Sequence, residues 1–126
     1  MQLVRHTLLL CAALFSCPVL CESVETQILV HSGLTAGLRY HDAKAVWNRL
    51  RVGDYVALVR EPTNPVDGNA VRVDWEGYTL GYLPRADNAA IARQLDRGAA
   101  LQARITQLAK HRNHRLKLGI DIFLKM

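Results

Sequence analysis

Hydrophobic and polar residues alternate along several short segments of this chain. The alternation is most regular in residues 116–124, where an apolar residue occupies nearly every second position. Because successive side chains of a strand point to opposite faces, such a period of two predicts strands with one buried face. Six segments have the pattern or the composition of strands: residues 25–32, 55–60, 70–75, 79–83, 101–105 and 116–124.

One segment between the strands has a helical pattern instead. Ile91 and Leu95 are four residues apart, and Asp87 or Asn88 is of a type that caps a helix N-terminus. Residues 43–50 predict one or two further helical turns. Strands at short spacing with one helix predict a mainly β domain, a small, partly open β-barrel of the OB or SH3 kind.

The N-terminal residues predict an export signal. A basic residue, Arg5, precedes the short apolar stretch 7–15, and small residues follow it. The apolar stretch is too short to span a bilayer as a helix. We expect cleavage after Cys21, which leaves residues 22–126 as a single domain in the periplasm or cell envelope.

A second interpretation of the leader is a lipoprotein signal. Residues 14–17 loosely resemble a lipobox, with Cys17 as the lipidated residue, and only in that case do we expect contact with a membrane. All three cysteines of the chain, Cys11, Cys17 and Cys21, belong to this leader. Residues 22–126 therefore contain no cysteine for a disulfide or for zinc binding.

Composition adds little about function. The formal net charge is +5 with a pI near 9.4, so a polyanion is a natural but unspecific partner. The chain has no Walker-type phosphate loop, which excludes a P-loop ATPase. We expect a monomer.

The segment from residue 58 to residue 88 is the most distinctive part of the chain. A loop built from Pro62, Asn64, Pro65, Asp67 and Gly68 lies between two predicted strands, and the sequence Gly-Tyr-Leu-Pro-Arg follows. Proline fixes φ and Asx side chains bond their own backbone, so such a loop is rigid. This string resembles the HIRAN domain, a small β-barrel module of helicase-like transcription factor and Rad5-type proteins, over residues 24–124.

The resemblance implies binding of single-stranded DNA with a free 3′ end. It assigns Asp67 to the terminal 3′-hydroxyl and Asn64 to the neighbouring sugar-phosphate. It assigns Tyr40 to stacking on the last base and Arg39 to a phosphate. A purely structural role, as turn caps for the Asx residues and as a packing residue for Tyr40, is the alternative.

Two further contacts and one departure follow from the same resemblance. Tyr82 and Arg85 flank Leu-Pro and correspond to nucleotide contacts, although Arg85 could be a solvated surface arginine. A eukaryotic member has an aromatic residue before the loop aspartate, where this chain has Val66. This difference predicts weaker stacking around the terminal base.

Other classes of function find less support in the sequence. His111 and His114 form a His-x-x-His pair, but structural zinc takes four ligands, so we interpret the segment as a basic hairpin tip and expect no cofactor. No catalytic constellation is recognisable; a zinc-dependent hydrolase of acid anhydrides is a distant alternative. A barrel that binds an envelope protein or glycan is the nearer alternative.

Overall fold

A computed structural model describes residues 26–126. The predicted export signal, its cleavage site and the three cysteines lie outside the described residues. Among the helices of residues 26–126, none has the length and apolar character needed to cross a membrane.

Six strands and two short α-helices make up the domain, in agreement with the mainly β prediction. The helix α1 (Ala43–Val46) continues into a 3-10 turn, Trp47–Arg49, and α2 (Arg85–Asp96) follows the fourth strand. Another 3-10 turn, Leu38–Tyr40, precedes α1. The strands are β1 (Gln27–Leu34), β2 (Tyr55–Arg60), β3 (Val71–Trp75), β4 (Tyr78–Tyr82), β5 (Leu101–Lys110) and β6 (Leu116–Lys125).

The strands form one antiparallel sheet in the order β1-β6-β5-β2-β3-β4. A long hairpin of β5 and β6 is its largest part, with Leu101 opposite Leu124 and Lys110 opposite Leu116. The fifth strand is longer than predicted, because it stays paired through Lys110 after a register shift between Ile105 and Gln107. The ladder does not close, so the barrel is partly open, as predicted.

The chain after β1 brings the two edges of the sheet together. The backbone N–H of Thr35 still bonds to Leu118 of β6, whereas Ala36 exchanges two hydrogen bonds with Tyr82 of β4, at 2.8 and 3.0 Å. Gly81 is necessary there, since a Cβ at this position would overlap the carbonyl oxygen of Ala36. Asp42 pairs with Thr79 through its backbone N–H and its carboxylate. Residues 36–42 are thereby held along β4.

The core lies on the inner face of the curved sheet. Its fully buried side chains alternate along the strands, as predicted, and α1 and α2 add apolar side chains to it: Val71, Val73, Leu80, Ile105, Leu118, Ile120, Ile122, Val46 and Ile91. The predicted cap of α2 is wrong. The helix begins at Arg85 with Pro84 at the cap position and no side-chain cap, because Asn88 is buried and bonds to the loop instead.

Candidate functional site

The Asx-rich loop between β2 and β3 is fixed by its own side chains. The Asn64 Oδ1 accepts hydrogen bonds from the backbone N–H of Val66 at 2.9 Å and of Asp67 at 3.2 Å. The Asp67 Oδ1 accepts one from the backbone N–H of Asn69 at 2.9 Å. Both residues thus have the turn-capping role that Asx side chains take in loops. Turn capping uses only one of the two carboxylate oxygens of Asp67.

The second oxygen of Asp67 attaches the loop to the start of α2. Asn88 Nδ2 donates to Asp67 Oδ2 at 2.7 Å, and Arg85 Nε lies 3.8 Å from the same oxygen. Arg85 also donates to the carbonyl of Val66 at 2.6 Å. The hydrogen bonds from Asn69 and Asn88, opposed by partial burial and helped by the charge of Arg85, hold the pKa of Asp67 below its ordinary value. Asp67 is therefore a fixed carboxylate at neutral pH.

Glu61 lies at the centre of a polar network that sequence reasoning did not identify. Its carboxylate accepts hydrogen bonds from Asn64 at 3.1 Å, Tyr82 at 2.9 Å and Arg72 at 2.8 Å. Arg72 bonds Asp74 as well, at 2.8 and 2.9 Å. A charged residue directly after β2, diagonal to Arg72 across the β2–β3 ladder, was the available signal.

The network changes the pKa values of its members. Burial alone would raise the pKa of Glu61, but the hydrogen bonds from Asn64, Tyr82 and Arg72 outweigh it and lower that pKa. Burial, together with the bond to Glu61, raises the pKa of the Tyr82 hydroxyl. The hydroxyl therefore remains a donor, and Tyr82 presents its ring rather than a free hydroxyl.

Tyr82 joins the loop to the segment that carries Arg39 and Tyr40. Its ring centroid lies 5.3 Å from that of His41, a residue that sequence reasoning did not identify as part of the site. Tyr40 itself is 70% exposed, and the Arg39 guanidinium lies over its ring, 4.7 Å from the centroid, and contacts its hydroxyl. One face of Tyr40 is thus covered by Arg39, whereas most of its surface is open to solvent.

The predicted site residues fall into two neighbouring groups. Asn64, Asp67, Tyr82 and Arg85 are connected by direct contacts or through Glu61. Arg39 and Tyr40 form the second group, which is linked to the first through His41 and Tyr82. Val66 lies on the exposed tip of the loop, 75% accessible.

The Arg39–Tyr40 segment also forms one wall of a groove of about 1320 Å³. The loop between β5 and β6 forms the other wall, as the basic hairpin tip that we predicted. His111 and His114 lie exposed in that loop, and His114 has a left-handed φ of 64°. Within residues 26–126, no group of three His, Cys, Asp or Glu side chains is arranged to hold a metal ion.

Known structures resemble this fold. A crystal structure of a protein from Lactobacillus plantarum shares 30% identity with a TM-score of 0.67, covering 79% of this chain and 98% of that one. The crystal structure of the HIRAN domain of human HLTF shares 25% identity with a TM-score of 0.61, covering 79% of this chain and 78% of that one. A comparison with curated proteins found no match.

The family assignment comes from the sequence as well as from the fold. The sequence model of the HIRAN domain matches residues 28–126, which include every strand and helix apart from the first residue of β1. The predicted resemblance is confirmed. This chain belongs to the HIRAN domain family.

Proposed function

We propose that this HIRAN domain binds single-stranded DNA and prefers a strand with a free 3′ end. HIRAN domains are in general nucleic-acid-binding modules. The observation that carries the finer proposal is the position of Tyr82, whose hydroxyl bonds the Asx loop through Glu61 and whose ring packs on His41. The loop that carries Asp67 and the segment that carries Tyr40 therefore both contact Tyr82, at the end of β4.

Each side chain has unused capacity for such a ligand. A carboxylate offers about four acceptor positions, and protein donors occupy two of those of Asp67, so a 3′-hydroxyl can donate to another. Asn64 uses its oxygen within the loop and one amide hydrogen on Glu61, leaving one hydrogen for the sugar-phosphate. Arg85 is largely exposed and keeps donors for a phosphate.

Tyr40 supplies the stacking surface. Base stacking on an aromatic side chain contributes about 1–3 kcal/mol and accepts any base. The Arg39 guanidinium covers one face of the Tyr40 ring and leaves the other face for a base. The guanidinium itself would bind the adjacent phosphate. Val66 offers aliphatic contact only, so the terminal base is held mainly from the Tyr40 side.

The proposed location is the periplasm or cell envelope, for which the leader-like residues 1–21 are the support. Incoming or extracellular DNA is the ligand available there. An envelope protein or glycan as the ligand is the alternative, and the experiment below separates the two.

The test is fluorescence anisotropy with a short labelled oligothymidylate. We expect binding that weakens with salt, and weakens further when the 3′-hydroxyl is replaced by hydrogen or phosphate. The Asp67→Ala variant should bind both oligonucleotides equally. No binding at low salt, with recovery of an envelope component by crosslinking, would favour the alternative.

A further inference from the structure

The groove between the Arg39–Tyr40 segment and the β5–β6 loop is lined by charged side chains of positive sign only. Its charged residues are all basic, and its lining contains no Asp or Glu. The lysines and arginines are Arg39, Lys44, Lys110, Arg112, Arg115 and Lys117. With low-dielectric walls on two sides, such a groove concentrates positive potential and attracts polyanions.

Within residues 26–126, none of these cations has an acidic partner, whereas four of the eight other arginines do. Arg49, Arg60, Arg72 and Arg85 each form a salt bridge with an aspartate or glutamate. In the described part of the chain, none of the six groove cations is within 4.0 Å of a carboxylate. Within residues 26–126 these six side chains therefore form no direct ion pair, and a bound anion would supply one.

One other feature of the lining suits a nucleic acid strand. Tyr40 and Trp47 are both part of it, so aromatic surface lies among the cations, as in other single-strand channels.

We infer that this groove binds the phosphate backbone of the strand that leads away from the end-binding site. The inference rests on the proposed function, since Tyr40 belongs both to the groove and to the stacking site. The terminal nucleotide contacts the Asx loop, and the nucleotides before it run between Lys44 on one wall and the β5–β6 loop on the other. Sites of this kind cover about 4–16 nucleotides per domain.

The experiment measures the binding of oligothymidylates of 3 and 12 nucleotides to the unchanged protein and to paired variants of it. The groove variant is Arg112→Gln/Arg115→Gln, at two exposed loop positions. The matched control is Arg93→Gln/Arg97→Gln, which removes the same charge from exposed positions at the far end of α2. Circular dichroism checks that each variant is folded, and Lys110→Gln/Lys117→Gln provides a second groove variant.

The expected result depends on length. The 12-mer binds the unchanged protein more tightly than the 3-mer. Each lost phosphate contact reduces the slope of log K against log salt by about 0.7, so the groove variant should lose about 1.4. If the groove variant and the unchanged protein bind equally at 1 M salt, this difference in slope makes the variant bind about 25-fold more weakly at 0.1 M salt. Affinity for the 3-mer should change less than about twofold, and the control should resemble the unchanged protein.

Two outcomes separate this inference from the proposed function. Equal affinity for both lengths, or equal effects of the groove and control variants, overturns the groove inference while a 3′-hydroxyl preference still supports end binding. Length-dependent binding that the groove variant weakens, but without any 3′-hydroxyl preference, overturns end binding and supports the groove.

Discussion

The Asn88 amide donates a hydrogen bond to the carboxylate of Asp67 at 2.7 Å, 21 residues away along the chain. Asn88 is 2% exposed and sits in the first turn of α2, whereas Asp67 lies in the loop before β3. The bond therefore holds the carboxylate from the side of α2, while Asp67 remains partly exposed to solvent. Asn88 is a positioning residue for the proposed 3′-hydroxyl contact.

Removal of this amide should weaken both the fold and the end preference. Asn88→Ala loses a buried hydrogen bond to a charged acceptor, and we expect about 1–2 kcal/mol lower stability, or a Tm about 4–16 °C lower for a domain of this size. The preference for a 3′-hydroxyl over a blocked end should fall with it. Thermal unfolding and anisotropy measure the two effects.

Asn88→Asp gives a sharper test, because it places a second carboxylate against Asp67. Two carboxylates in contact cannot both ionise easily, so one pKa of the pair rises. A raised folded-state pKa gives stability that is complete at low pH and is lost as the pH rises through that pKa. The variant should therefore gain stability on acidification. The same pH profile as the unchanged protein would contradict the contact.

Tyr40→Ala should weaken DNA binding without harming the fold. The side chain is 70% exposed, so stability should change by less than about 0.5 kcal/mol. Loss of one stacked base should reduce affinity about 5- to 150-fold, whatever the terminal base. Tyr40→Phe should retain most of the affinity, because it keeps the aromatic ring. Tyr55→Ala is the matched control, since Tyr55 is 58% exposed on β2 and packs against Arg104 instead.

Gly81→Ala should displace the Arg39–Tyr40 segment. The added Cβ overlaps the backbone carbonyl of Ala36, and backbone cannot move aside as a side chain can. We expect about 2–3 kcal/mol of destabilisation and weaker DNA binding in whatever remains folded. Gly68→Ala is the control, because the nearest atom to its Cβ, the carbonyl oxygen of Pro62, is 4.0 Å away. Urea unfolding of both variants measures the difference.

Glu61→Gln should destabilise the network around β2, β3 and β4. The amide can still accept from Tyr82 and Asn64 through its oxygen, but its NH₂ group faces Arg72, which is itself only a donor. Because Arg72 keeps Asp74 as a partner, we expect a cost of about 1–2 kcal/mol. An unchanged midpoint in urea would show that the network contributes little.

The end preference should disappear in acid. The pKa values of Asp67 and Glu61 are lowered in the folded state, so their stabilisation is complete above the ordinary values near 4 and is lost as the pH falls through the folded values. The ratio of affinities for free and blocked 3′ ends should therefore stay constant from neutral pH down to about pH 4, the ordinary value of an aspartate. It should approach one only at lower pH, as the pH falls through the lowered pKa of Asp67. Oligothymidylate suits this titration because thymine does not protonate in that range.

The strands of this domain could be predicted from local pattern. The segment 55–60 and the alternation of 116–124 correspond to β2 and β6 because each buries one face, which period two encodes directly. The extra length of β5 was not predictable in this way. Residues after Ile105 lose the alternation at a register shift and stay extended because β6 pairs with them.

The candidate site was predictable only in part. Asn64, Asp67, Tyr82 and Arg85 lie within a short stretch of chain whose Pro and Asx content already indicated a rigid loop. Glu61 and Asn88 were missed because each acquires its role from a partner 21 residues away. The position of Glu61 directly after β2 indicated a contact with Arg72, but the contacts of Glu61 with Tyr82 and of Asn88 with Asp67 depend on the path of the backbone.

The order of residues along the chain determined the strands, the rigid Asx loop, the basic hairpin tip and the resemblance to HIRAN domains, since each depends on side chains that are near neighbours in sequence. Only the tertiary structure decided that Ala36 pairs with Tyr82, that Asn88 fixes Asp67, and that Arg39 and Lys44 face the β5–β6 loop across one groove. These relationships depend on sheet curvature and on the approach of distant segments, which packing of the whole core selects.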